Sequence, residues 1–143
     1  MPFVEQTELG WPHGNCVAAA WGSLLGIPIE QVPYFDPGHI GDANQIELER
    51  QWIRRFGYDV IVVSAGGDPP NIPAHVYHLM SGLSPRGFGH RCVGRGGRLV
   101  WDPHPSHLGL LEVWSYTFLV PLVDPQPEVG DDRELLGFRG WLQ

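Results

Sequence analysis

The sequence lacks, or has few of, the residues on which several common chemistries depend. It has no lysine, so a Schiff-base lysine and the lysine of a phosphate-binding loop are both excluded. It has only two cysteines, Cys16 and Cys92, which makes a disulfide scaffold improbable, and we expect both thiols to be free. No apolar run reaches the length of a membrane span, and no basic-then-apolar signal pattern opens the chain. These absences predict a cytoplasmic protein of a bacterium or phage, with no membrane partner.

The residues that are present predict one acidic, globular domain. Nine basic residues stand against 16 acidic ones, for a formal net charge of −7. Because no basic stripe is available to neutralise phosphates, we expect no nucleic-acid partner. With 43% apolar and 17% charged residues, the composition is that of a chain with a packed core. We expect a folded domain over residues 1–123 and a proline-rich, apolar tail over 124–143, which packs on the domain or on a protein partner.

The first regular pattern is a helix that begins at Cys16. Apolar residues recur over 17–25 at positions i, i+3, i+4, i+7 and i+8, which indicates one buried helical stripe. Asn15 or Gly14 is a candidate N-cap, and Gly26, followed by Pro28, ends the helix. A cysteine in the first turn of a mostly buried helix therefore opens the fold.

A second helix is predicted over about 44–56, and strands follow it. Ile46, Ile53 and Phe56 lie on one side of this helix, while Glu49, Arg50 and Arg54 are expected to face solvent. The pattern then changes to short β-type runs, which we place at residues 59–64, 74–81, 90–95, 98–102 and, as one or two strands, within 111–123, with a loop over 82–89. Helices followed by antiparallel strands predict an α+β fold.

The candidate chemistry depends on Cys16, His90 and Asp102. The unpaired N–H groups at a helix start favour a thiolate, which is the nucleophilic form of cysteine. His90 opens a strand after a glycine-rich loop, and Gly96-Gly97 is a favoured two-residue turn that joins this strand to the next one. If Arg95 pairs with Arg98, residue 90 faces residue 103, and Asp102 lies within one residue of that register. The imidazole of His90 would act as the base, and Asp102 would orient it.

Several further residues complete the predicted site. The amide of Gln6 is a candidate oxyanion donor beside the Cys16 backbone N–H. Arg86, in the loop just before His90, is a candidate for recognising a substrate carboxylate. The remaining candidate substrate-binding residues are Asn15, Trp11 and His104.

The order Gln6, Cys16, His90 and Asp102 resembles that of papain-like cysteine peptidases, in particular the compact bacterial C39-like peptidases. The stretch GNCVAA at residues 14–19 looks like their nucleophile helix, and GHRCV followed by GG and VWDP looks like their histidine hairpin and acid. The GNC and DPHPS motifs also resemble those of small phage and bacterial proteins. The resemblance implies a papain-like fold, in which a nucleophile helix packs on an antiparallel sheet, and thiol-dependent acyl transfer. It implies Cys16 as nucleophile, His90 as base, Asp102 as orienting residue and Gln6 as oxyanion donor.

Metal binding is the main chemical alternative, because the chain has seven histidines. His104 and His107 share one loop with Asp102, and three-ligand sites of His and Asp hold zinc. However, His75 and His78 would point to opposite faces of their predicted strand, and the chain has no HExxH or CxxC motif. No GxGxxG pattern is present either, so we expect no metal and no other cofactor.

The sequence leaves three functional hypotheses open. The first is a hydrolase that cleaves an amide in a peptide, an isopeptide or a small amidated compound. The second is a catalytically inactive module that uses the same cleft to sequester a peptide, nucleotide or host factor. The third is an acyltransferase that uses the same triad. Cys92 is expected in the core, on the same strand face as His90, where a redox-labile pair with Cys16 is a minor alternative.

Overall fold

The computed structural model describes residues 3–10, 14–35, 42–66 and 70–122, and it confirms an α+β fold. Trp11 and the predicted tail over 124–143 lie outside these residues. The elements in chain order are helix α1 (Cys16–Leu25), a 3₁₀ turn (Ile29–Gln31), helix α2 (Ala43–Ile53), a second 3₁₀ turn (Arg54–Phe56), and strands β1 (Tyr58–Ser64), β2 (Tyr77–Leu83), β3 (Gly89–Arg95), β4 (Arg98–Trp101) and β5 (Glu112–Pro121). No helix in the described ranges is long and apolar enough to cross a lipid bilayer.

Helix α1 is enclosed on all sides. Every residue from Cys16 to Leu24 is buried, and Gly26, with a φ of 71°, ends the helix in the left-handed conformation. Trp21 lies fully buried near its middle and meets Trp52 edge-on, with ring centroids 6.2 Å apart. Because its whole surface is packed, α1 holds its first residue, Cys16, in a fixed place.

All strand pairs are antiparallel, in the order β1-β5-β2-β3-β4. The last strand therefore lies between β1 and β2, while the β3–β4 hairpin forms one edge. Leu79 of β2 and Val93 of β3 join the same hydrophobic core as α1. The hairpin's open end, where β3 begins and β4 ends, carries His90 and Asp102.

The predicted hairpin turn is confirmed, but its register changes after two pairs. Gly96 and Gly97 have φ values of 62° and 85°, which a two-residue turn of this kind requires, and Arg95 pairs with Arg98. A β-bulge then follows, so that Val93 lies opposite Trp101. The uninterrupted register predicted from the turn is therefore wrong by one residue beyond this point.

Two other local predictions are wrong. Strand β2 begins at Tyr77 and continues to Leu83, so residues 74–76 are not in a strand and the following loop is shorter than predicted. A turn precedes the strand, where the Val76 carbonyl accepts a hydrogen bond from the Gly96 N–H. Glu49 does not face solvent. Its side chain is buried and accepts hydrogen bonds from the Trp21 indole and the Arg91 guanidinium.

Candidate active site

Cys16 is the first residue of α1, and it lines a cleft at this end of the molecule. Asn15 directly precedes it but makes no side-chain N-cap hydrogen bond to the helix. The Asn15 amide oxygen instead accepts hydrogen bonds from the backbone N–H groups of Thr7 and Glu8, each at 3.0 Å. Asn15 thus connects the N-terminal segment to the start of α1, and it is not among the residues that line the cleft.

The same N-terminal segment carries Gln6 into the cleft. The Gln6 backbone N–H donates to the Pro103 carbonyl at 3.0 Å, and its side-chain amide donates to the Glu8 carbonyl at 2.9 Å. Gln6 is buried and its amide oxygen has no partner among the described residues. Gln6 therefore lies where the entry to α1 and the loop after β4 meet.

His90 and Asp102 form the predicted pair. The His90 Nε2 atom lies 2.6 Å from the Asp102 Oδ1 atom, and both side chains are almost fully buried. His90 also lines the cleft beside Cys16, whereas Asp102 is not among its lining residues. The carboxylate thus contacts Nε2 of the imidazole, and the other ring nitrogen, Nδ1, does not take part in this hydrogen bond.

The loop after β4 fixes the Asp102 carboxylate with two backbone groups. The His104 N–H donates to Oδ1 at 2.9 Å, and the Gly109 N–H donates to Oδ2 at 2.7 Å. Burial by itself would raise the pKa of Asp102, but the hydrogen bonds from His90 and from these two N–H groups lower it to about 2. Asp102 is therefore a carboxylate at neutral pH.

His90 is correspondingly favoured as an imidazolium. Burial by itself would lower the pKa of His90, but the hydrogen bond to Asp102 and contacts with the thiols of Cys16 and Cys92 outweigh it and raise this pKa above its ordinary value. Both cysteines of the chain therefore lie against one imidazole, and both are free thiols as expected.

The two thiols differ in their position relative to the cleft. Cys92 is fully buried, as predicted, and does not line the cleft. Burial raises its pKa, an effect that the neighbouring His90 only partly opposes, so Cys92 is favoured as a neutral thiol. Cys16 is also buried, at 3% exposure, but it is among the residues that line the cleft. Of the two, Cys16 is therefore the candidate nucleophile.

The cleft brings together most of the predicted site residues. The residues that line it are Gln6, Gly10, Gly14, Cys16, Ser84, Arg86, Phe88, Gly89, His90 and His104. Arg86 and His104 thus line the same cleft as the candidate nucleophile. Both contact a residue that the sequence did not single out: the Ser106 hydroxyl lies 3.2 Å from Arg86 Nη1 and 2.8 Å from His104 Nδ1.

One group of described residues offers a zinc-type donor set. His90, Cys92 and Asp102 are all buried, with ligand atoms within 4.8 Å of one another. Neither the histidine pairs nor the short motifs of the sequence indicate this combination, because Cys92 was predicted to lie in the core. In the structure, Asp102 and His90 are hydrogen-bonded directly to each other.

In comparisons with protein-family models, curated proteins and solved structures, no match to this chain was found. The assignment of chemistry therefore depends on the arrangement of the residues in the cleft.

Proposed function

We propose that this protein is a thiol-dependent hydrolase of papain-like architecture that cleaves an amide bond through Cys16, His90 and Asp102. The observation that carries the proposal is the 2.6 Å contact between His90 and a deprotonated Asp102, directly beside a cysteine that opens a buried helix and lines a cleft. This combination supplies a nucleophile, a proton carrier and an orienting group in one place.

In the proposed reaction, the Cys16 sulfur attacks the substrate carbonyl carbon and a carbon–sulfur bond forms. The carbon–nitrogen bond then breaks, and the imidazolium of His90 gives its proton to the leaving amine. Water next attacks the thioester carbon while His90 accepts one of its protons. The carbon–sulfur bond then breaks, which releases the carboxylic acid and leaves the Cys16 thiolate beside the imidazolium of His90, as at the start of the cycle. Asp102 remains ionised throughout and stabilises the imidazolium, as its low pKa favours.

Two donors are available for the oxyanion. The Cys16 backbone N–H belongs to the first turn of α1, where N–H groups have no partner inside the helix. The Gln6 side chain lines the same cleft, and the segment that holds it is fixed to both Asn15 and Pro103. These donors would stabilise the negative charge that develops on the carbonyl oxygen.

Alkylation with iodoacetamide near neutral pH tests the assignment of the nucleophile. Peptide mass spectrometry should find Cys16 modified at least about tenfold faster than Cys92, because Cys16 lines the cleft and Cys92 does not, and an adjacent imidazole can accept the proton of a thiol. The Cys92→Ala variant should keep the rate at Cys16, and His90→Ala should lower it. Equal or reversed rates at the two cysteines would refute Cys16 as the nucleophile.

A panel of peptide, isopeptide and small amide substrates tests the reaction itself. Product mass distinguishes transfer to water from transfer to an amine, which separates hydrolase from acyltransferase. Activity should survive a chelator, whereas chemistry at a metal held by His90, Cys92 and Asp102 would be lost. Rapid alkylation of Cys16 with no turnover of any amide would favour the binding module over the enzyme.

A further inference from the structure

The cleft contains a positively charged side chain, whereas the chain as a whole is acidic. The protein carries a formal net charge of −7, yet in the part of the chain that the structure describes no aspartate or glutamate lines the cleft. Arg86 is the one arginine among these described lining residues, and the nearby Asp102 already forms a buried pair with His90. A ligand that enters this cleft therefore meets the positive charge of Arg86 with no carboxylate from the described residues on its walls.

Arg86 keeps most of its donors for a ligand. Its guanidinium donates one hydrogen bond, to the Ser106 hydroxyl at 3.2 Å, and no carboxylate pairs with it among the described residues. A guanidinium has five N–H donors in a planar fork, whose geometry matches the two oxygens of a carboxylate. The Ser106 bond fixes one side of this fork and leaves the remaining donors unassigned.

The loop that carries Arg86 is a tight turn between β2 and β3. The Ser84 N–H donates to the Phe88 carbonyl at 2.9 Å, and the Gly87 N–H donates to the Ser84 carbonyl at 3.0 Å. Gly87 has a φ of 89°, a conformation that side-chain-bearing residues rarely adopt. Two backbone hydrogen bonds therefore fix the turn that carries Arg86. Because this turn leads directly into β3, it also fixes Arg86 relative to His90, four residues later.

His104 is favoured as a neutral ring, so it does not add a second positive charge beside Arg86. Its burial, and after that the positive charge of Arg86, lower the pKa of His104, which favours the neutral ring. Its Nδ1 atom accepts a hydrogen bond from the Ser106 N–H at 3.0 Å, so in the neutral form the proton lies on Nε2. His104 can thus add a neutral donor beside Arg86.

We propose that the cleft takes substrates with a carboxylate next to the scissile amide, and that Arg86 binds this carboxylate. This inference deepens the proposed function and rests on it, because only a hydrolase would cleave the amide. The carboxylate-binding subsite itself requires only the cleft, so it can be tested with or without turnover.

Two alkylating reagents that differ only in this group test the subsite. Iodoacetate and iodoacetamide present the same reactive carbon to Cys16, form the same carbon–sulfur bond and release iodide, but only iodoacetate carries a carboxylate. In Arg86→Gln the ratio of their rates, iodoacetate over iodoacetamide, should fall about tenfold, as expected for loss of a charged hydrogen bond. In Arg98→Gln, which removes the same charge from an exposed position on β4, the ratio should stay within about twofold.

The outcomes separate the two proposals. An unchanged ratio in Arg86→Gln, or an equal fall in Arg98→Gln, would overturn the subsite. A second readout needs no reactive sulfur. Nuclear magnetic resonance titration measures the binding of N-acetylglycine and of N-acetylglycinamide to the Cys16→Ala variant. Preference for the acid that disappears with Arg86→Gln would support the subsite even if Cys16 proved inert, and equal binding of the two would refute it.

Discussion

Strand β3 contributes residues to two buried polar clusters that look alike by composition and differ in the reactive groups they contain. The cleft cluster consists of Cys16, His90, Cys92 and Asp102. The interior cluster consists of Trp21, Glu49, Ser81 and Arg91, in which Glu49 accepts from both Trp21 and Arg91, and Arg91 also donates to the Ser81 hydroxyl at 3.0 Å. Because neighbouring side chains on a strand point to opposite faces, His90 and Arg91 serve different clusters.

The difference shows which features of a buried ionic group indicate function. Each cluster contains a carboxylate paired with a cation at almost complete burial. The cleft cluster also contains the thiol of the candidate nucleophile, and its Cys16 and His90 line a cavity. The interior cluster joins α1, α2 and the sheet; it contains no thiol or imidazole, although Trp21, Glu49 and Arg91 also line a cavity. A buried ion pair beside a cavity therefore does not by itself indicate thiol chemistry, which also requires a thiol next to the imidazole.

The largest expected effect is a loss of activity, with little loss of stability, in a variant of the cleft cluster. Replacement of Cys16 by alanine should lower turnover of an amide substrate at least about a thousandfold, because no other group takes the place of a lost nucleophile. The free energy of unfolding should change by only about 1 kcal/mol, as for a small buried side chain. Denaturant titration and steady-state rates measure the two effects.

The matched control is Cys92→Ala, which removes the other thiol that contacts His90. We expect its turnover to stay within a few-fold of that of the wild type. If Cys92→Ala proves as inactive as Cys16→Ala, Cys92 takes part in the chemistry, and the zinc-type donor set becomes the better explanation.

In the interior cluster we expect a loss of stability without a loss of reactivity at Cys16. Replacement of Glu49 by alanine leaves the Arg91 guanidinium buried without its counter-ion, which costs about 3–5 kcal/mol of the free energy of unfolding. The alkylation rate of Cys16, measured where the variant remains folded, should stay within about twofold. Glu47→Ala, at an exposed position on the same helix, should change stability by less than about 0.5 kcal/mol. An active-site defect in Glu49→Ala without loss of stability would remove the distinction between the clusters.

The sequence predicted the cleft cluster better than the interior cluster because its signals are local. Helical spacing places Cys16 at a helix start, and Gly96-Gly97 brings His90 and Asp102 to one end of a hairpin. The bulge in that hairpin carries no comparable sequence signal, yet it shifts the register by one residue without separating the pair.

The interior cluster was missed because its contacts are remote and contradict the usual behaviour of the residues. A glutamate on an amphipathic helix normally faces solvent, and the partner of Glu49 lies 42 residues away on β3. One signal was available: Val93, two residues after Arg91 and therefore on the same strand face, is apolar, and a buried arginine requires an acidic partner. The insertion of β5 between β1 and β2 is likewise a long-range arrangement that periodicity does not encode.

The smallest expected effect is also the sharpest test of the His90–Asp102 pair, because it has a characteristic dependence on pH. The folded pKa of Asp102, about 2, lies below its unfolded value of about 3.9, so its contribution to stability is complete above about pH 4 and is lost as the pH falls through 2. The folded pKa of His90 lies above its unfolded value of about 6.5, so its contribution is complete below that pH and is lost as the pH rises through the folded value. The stability difference between the wild type and Asp102→Asn should therefore be largest between pH 4 and 6.5, on the order of 2–3 kcal/mol, and decline on both sides.

Asp59 is the matched control, because its pKa is also lowered to about 2, in this case by hydrogen bonding to Arg50, whose guanidinium stays charged at high pH. The stability difference for Asp59→Asn should thus decline only on the acidic side, and it should be smaller because that ion pair is partly exposed. Circular-dichroism denaturation at a series of pH values measures both variants. If Asp102→Asn shows no decline above pH 6.5, the carboxylate does not hold a protonated His90, and the cleft cluster loses the ion pair that sets it apart from a simple hydrogen-bonded core.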